Sequence, residues 1–281
     1  MHPSRPGARF LGRLLRSLRE AQGLARGEVV RRSAGGAGPG LTPTILRDLE
    51  TGDRLPTLGR LPALARALGV TAGELLAWVE LAPVLEGAGR YVGAADRALR
   101  GDARLRRAGE LATAGRPAVA AVLACEAWWE AGPGVPPPAV LVRAVLELGQ
   151  PFLALLLAGR SPSGSGILAV ELEALRRLGL ARVARRACPP VAVPGADPSL
   201  LEVQARLLEE TDPAGAMERW SRLLERARRN GDRAAASRAS AGVARCLAAG
   251  GSRGGPGHVG DEPRRRKRRR AGRLAPPRPG D

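Results

Sequence analysis

Five short stretches between Phe10 and Val79 carry apolar residues at three- and four-residue steps, with glycine, proline and hydroxyl residues between them. That spacing gives an α-helix one buried stripe, and it does not fit the two-residue alternation of a strand. In FLGRLLRSLREAQG the stripe is Phe10, Leu11, Leu14, Leu15 and Leu18. Arg9, Arg13, Arg16 and Arg19 fall on the other side, and Gly23 reads as a stop. ARGEVVRRSA offers Val29 and Val30 to a core and Arg31 and Arg32 to solvent. TPTILRDLETG opens with Thr42 as N-cap and Pro43 at the first helical position, buries Ile45, Leu46 and Leu49, and ends at Gly52. TLGRLPALARALG carries Leu58, Leu61, Leu64, Ala65 and Leu68. The last stretch opens on Thr71-Ala72-Gly73-Glu74, a capping-box pattern, and is expected to bury Leu75, Leu76 and Val79.

LGRLLRSLREAQGL followed by ILRDLETGDRLPTLGRLPALARALGVTAGELL resembles the Cro/lambda-repressor helix-turn-helix family of bacterial regulators. The resemblance covers about a quarter of the chain and is spread along it. Leu18-Arg19-Glu20 matches a frequent phrase of the family's first helix, and Glu50-Thr51-Gly52 matches the ending of its reading helix. It implies that the third helix enters the major groove of duplex DNA. Arg26, at the start of the second helix, is then implied as a phosphate contact. Thr42, Pro43, Thr44 and Arg47 match the exposed positions of the reading helix, and Arg54 matches a phosphate-contacting position just beyond it. Arg47 alone has the bidentate fork suited to guanine, while Thr44 offers a hydroxyl or methyl contact.

Two departures from the family pattern stand out. Ser33 to Gly40 makes the join between the second and third helices about six residues longer than a tight turn. Pro62 lies early in the fourth stretch, where it predicts a kink or a delayed start.

Charge is uneven along the chain. The net +18 divides into +5 over residues 1–80, +6 over 81–250 and +7 over 251–281. Such a balance favours polyanions, although an Arg-rich, Lys-poor chain also fits a GC-rich coding sequence. Arg264, Arg265, Arg266, Lys267, Arg268, Arg269 and Arg270 lie between Gly- and Pro-rich flanks. That composition predicts a disordered basic tail able to contact phosphates without reading sequence.

Little in the chain suggests catalysis or a cofactor. The two histidines are His2 and His258, and Cys125, Cys188 and Cys246 are widely spaced, so they read as reduced thiols and not as a metal site. Gly35 to Gly40 lacks the lysine and hydroxyl of a phosphate-binding loop. Glu171 and Glu173, like Glu209 and Glu210, read as solvated. Phe152 to Ala158 is too short an apolar run to span a bilayer.

From Ala82 to Gly250 the pattern stays helical, with helices expected near 102–114, 117–131, 138–158, 166–187, 199–211, 213–230 and 232–249. Ala214 to Gly250 is similar to one tetratricopeptide repeat, with Trp220, Leu223 and Leu224 as the larger packing residues. Trp128-Trp129 reads as one buried and one partly exposed ring.

The expectation is an all-α protein without a cofactor. It has a flexible arm over 1–8, a five-helix DNA-binding domain over 9–80 and a linker over 81–101. A degenerate αα-repeat domain for sensing or dimerisation occupies 102–250, and the basic tail occupies 251–281. Duplex DNA, a second copy, and a peptide or small-molecule effector are the expected partners, in a bacterial cytoplasm at the nucleoid and away from membranes. Two rivals stay open: an interaction scaffold whose helix-turn-helix no longer reads DNA, and a sequence-neutral nucleic-acid coat driven by the tail.

Overall fold

Helix α1 (Ala8–Ala21) anchors the N-terminal helices, because Phe10, Leu11, Leu14 and Leu15 are all buried along one side. The computed structural model describes residues 6–35, 39–132, 134–189 and 197–252. Among these the chain is all-α: fifteen α-helices, one short 3₁₀ turn and no strand. Residues 1–5 of the expected arm lie outside the described residues, whereas Gly7 and Ala8 are buried.

After α2 (Arg26–Ser33), the Ser33 hydroxyl donates to the Val30 carbonyl at 2.7 Å and accepts the Leu41 N–H at 3.0 Å. One side chain thereby closes the base of the long Gly-rich join, of which residues 36–38 lie outside the described residues. Helix α3 (Pro43–Thr51) starts and stops as its residues dictate. Thr42 Oγ1 accepts the Ile45 N–H at 3.2 Å, Pro43 fills a first-turn position, and Gly52 closes the end at φ +79°.

Two glycines let α1 and α3 touch at backbone distance. A Cβ on Gly12 would lie 2.7 Å from the carbonyl oxygens of Leu49 and Glu50, and one on Gly52 would lie 2.7 Å from the Arg9 Cα.

Pro62 delays a helix instead of kinking one. A 3₁₀ turn over Leu58–Arg60 precedes α4 (Leu61–Ala67), whose first turn holds Pro62, where a missing N–H costs nothing. Leu58, expected in the core, is consequently 75% exposed.

Helix α5 (Ala72–Gly89) runs well past the expected domain edge. Its buried face is Leu75, Trp78, Leu81, Ala82 and Leu85; Leu76, expected in the core, faces solvent instead, and Val79 is half-buried. Residues 81–101, expected as a linker, hold the second half of α5 and the short α6 (Ala94–Ala98). Pro83 sits on the solvent side of α5, so it removes one backbone bond without ending the helix.

Beyond lie α7 (Gly101–Thr113), α8 (Pro117–Ala131), α9 (Ala139–Glu147), α10 (Pro151–Ala158) and α11 (Ser165–Arg177). The chain then forms α12 (Ala181–Ala187), α13 (Pro198–Leu208), α14 (Pro213–Arg229) and α15 (Arg233–Ser252). Two expected helices are each split in two. Gly149 at φ +80° before Pro151 separates α9 from α10, and Gly179 at φ +78° separates α11 from α12.

A continuous apolar core runs from Phe10 to Ala174, joining α1–α5 to α7–α11. Smaller clusters lie between α11 and α13 and around Trp220 in the α13–α15 group. At the latter, Gly242 of α15 lies directly under the Trp220 ring, with no room for a Cβ.

Candidate nucleic-acid interface

Helix α3 divides its side chains as a surface-reading helix must. Leu46 and Leu49 are buried and Ile45 is half-buried, while Thr42, Pro43, Thr44 and Arg47 are exposed together on the other side. The Arg47 side chain is 63% exposed and lies 3.3 Å from Asp48 Oδ1, a neighbouring surface pair that leaves most of its donors free. Arg54 is exposed at the opposite end of α3, where its backbone N–H reaches the Asp48 carbonyl at 3.1 Å. Helix α3 has nine residues and is about 13 Å long, with Thr42 at its start and Arg54 just past its end.

Arg26 differs from the rest of the implied set. Its Nε donates to Glu50 Oε2 at 2.8 Å, so the residue implied as a phosphate contact is partly committed to its own protein. Glu50 is buried, and its Oε1 accepts Arg19 Nε at 2.6 Å. Arg19 also donates to the Leu24 carbonyl at 2.9 Å. Hydrogen bonding to Glu50 is the main cause that raises the Arg19 pKa above its ordinary value. Expected on the solvent side of α1, Arg19 is instead buried, because Glu50 and the Leu24 carbonyl satisfy its donors. The three side chains fix the start of α2 and the end of α3 against α1. The sequence held a signal for this in Arg19 and Glu50, both inside the matched phrases, but not the partnership between them.

A second buried carboxylate ties this module to the rest of the chain. The Glu74 N–H donates to Thr71 Oγ1 at 3.0 Å, forming half of the expected capping box. Its carboxylate does not turn back to complete the box and instead receives both Arg160 Nη atoms at 2.7 Å. On α1, the Phe10 ring lies 5.2 Å from that of Trp129, and the Arg13 guanidinium sits 5.7 Å over the same indole. Trp128 and Trp129 are both half-buried, and Trp128 Nε1 donates to the Val135 carbonyl at 2.8 Å.

Glu173, read as solvated, is buried beneath hydrogen bonds from Arg176 and Arg177. Cys125 and Cys246 are buried free thiols and Cys188 is half-buried. Burial raises the pKa of all three. The basic run Arg264 to Arg270 lies outside the described residues. No group of three or more His, Cys, Asp or Glu side chains placed to hold a metal ion occurs among the described residues. No single helix among them is long and apolar enough to cross a membrane.

Residues 11–78, from α1 to the middle of α5, match a family model described as a helix-turn-helix domain. No curated protein and no solved structure matches the chain. The N-terminal module is therefore a helix-turn-helix domain, a fold suited to binding DNA.

Proposed function

We propose that this chain is a bacterial, sequence-specific DNA-binding transcriptional regulator of the Cro/lambda-repressor type, without catalytic activity. One observation supports it above the others: α3 turns Thr44 and Arg47 outward while Leu46 and Leu49 anchor its inner side. In this reading α3 enters the major groove, and Arg47 and Thr44 meet base edges. Arg54 meets a phosphate, and Arg26 adds a phosphate contact through the guanidinium nitrogens that Glu50 leaves free. The basic run from Arg264 to Arg270 adds sequence-neutral attraction.

The pair α14–α15 is read as a tetratricopeptide-like unit, supported by the small Gly242 beneath Trp220. The body it closes would serve a peptide or small-molecule effector, or a second copy. Two copies would meet half-sites about 34 Å apart. Such a role places the protein at the nucleoid in the cytoplasm.

Selection of bound duplexes from a random pool by the full chain, repeated on Arg47→Ala, tests the reading. Loss of one bidentate contact costs about 1–3 kcal/mol on the selected duplex and leaves affinity for random DNA nearly unchanged. Equal loss on both targets would indicate a sequence-neutral coat. Absence of duplex binding at low salt would indicate the scaffold. Deleting residues 253–281 is expected to lower the salt dependence on every duplex alike.

A further inference from the structure

The last turns of α5 and the turn between α7 and α8 enclose an open groove of about 400 Å³. Val84, Ala88 and Tyr91 form one wall, and Arg116, Pro117 and Val119 form the other. No carboxylate lines it. Tyr91 is the single tyrosine of the chain. It is 74% exposed and Val84 is 48% exposed, so an interface-prone ring lies uncovered beside bare aliphatic surface. Arg90, capping α5, and Arg116, capping α8, are exposed and carry no ion pair among the described residues.

Charge and shape select the occupant. A twofold pairing of two copies across this groove would set the Arg90 and Arg116 of one copy near those of the other, with no lining carboxylate between them, which repels. A small ligand would stay largely exposed between only two walls, whereas ligand pockets enclose most of their guest. Nucleic acid would have to set phosphates against Val84, Tyr91 and Val119. We infer that the groove docks an acidic amphipathic segment of a partner protein. Apolar side chains of that segment cover Val84 and Tyr91, and its carboxylates meet Arg90 and Arg116. This site stands apart from α3 and does not depend on DNA reading.

The test uses the full chain and a labelled helical peptide of about 16 residues, with leucines on one face and glutamates elsewhere. A scrambled peptide of the same composition and a lysine version serve as comparisons, all read by fluorescence anisotropy. The amphipathic acidic peptide is expected to bind at least about tenfold more tightly than either comparison. Tyr91→Ser and Arg116→Glu are each expected to weaken it about tenfold or more while leaving duplex binding and helical content unchanged. The inference is overturned by equal binding of the scrambled peptide, by variants that bind as the parent does, or by no binding. It is also overturned if Tyr91→Ser dissociates a dimer in sedimentation, since that would make the groove a self-association face.

Discussion

Two guanidiniums converge on Glu50, whose side chain is 1% exposed, but they do not contribute equally. Arg19 is 11% exposed and Arg26 is 46% exposed, so water screens the second pair far more than the first. Removing Glu50 leaves Arg19 buried without a counter-charge. Glu50→Ala is therefore expected to lose about 3–5 kcal/mol in urea unfolding monitored by circular dichroism. Arg26→Ala is expected to lose under about 1 kcal/mol by the same measurement. Comparable losses from both would mean that the two arms carry similar weight. Gly12 belongs to the same joint. A methyl there would press on the Leu49 and Glu50 carbonyls at 2.7 Å, and Gly12→Ala is expected to cost about 1–3 kcal/mol. From sequence alone Gly12 is only a weak helix residue, because which backbone lies opposite is decided by residues some forty positions away. The outward set Thr42, Thr44 and Arg47 was readable, since periodicity and the Thr-Pro start place them without tertiary knowledge.

Element boundaries followed local chemistry where caps were explicit and departed from it where a breaker faced solvent. Thr42, Pro43 and Gly52 delimit α3 by themselves. Pro83 lacks the N–H a helix interior needs, yet α5 passes through it because Leu81 and Leu85 remain buried on the opposite side. The reverse held at Gly149 and Gly179, where apolar periodicity continued across a positive φ and hid two turns. Glu173 shows the same dependence on neighbours. It was read as solvated, but it lies against Arg176 and Arg177 of its own helix, and Arg206 of α13 approaches at 3.4 Å. Burial raises its pKa, and the hydrogen bonds from Arg176 and Arg177 outweigh that, so the net shift is below the ordinary 4.5. A lowered folded value means the stabilisation is complete above pH 4.5 and is lost as pH falls through the lowered value. Acid titration of the parent is expected to show that loss at the α11–α13 joint. Glu173→Gln should flatten the acid limb while lowering stability at neutral pH.

At the scale of the molecule, the sequence reads as a five-helix domain over 9–80, a linker over 81–101 and a helical body over 102–250, and the apolar core runs across those bounds. Composition cannot reveal this, because the apolar side of α5 that serves the helix-turn-helix core continues into the side that meets α8. Phe10 against Trp129 and Glu74 against Arg160 close the same joint from α1 and from the start of α5. With a shared core, α1–α5 and α7–α11 are expected to unfold as one cooperative unit, so their most protected amides should exchange with one common free energy in native-state hydrogen exchange. Arg160→Ala leaves the Glu74 carboxylate buried and unpaired, with an expected cost of about 3–5 kcal/mol. Because Arg160 belongs to the body and Glu74 to the helix-turn-helix module, that cost should lower protection in α5 as well as in α10. It should also make a short piece ending near residue 82 a poor stand-in for the whole, since the piece cuts α5 and bares Phe10 and Leu81. If α5 amides instead exchanged independently of those in α8 and were unmoved by Arg160→Ala, the two halves would be separate domains in mere contact. The orientation of α3 would then no longer be set by the helical body.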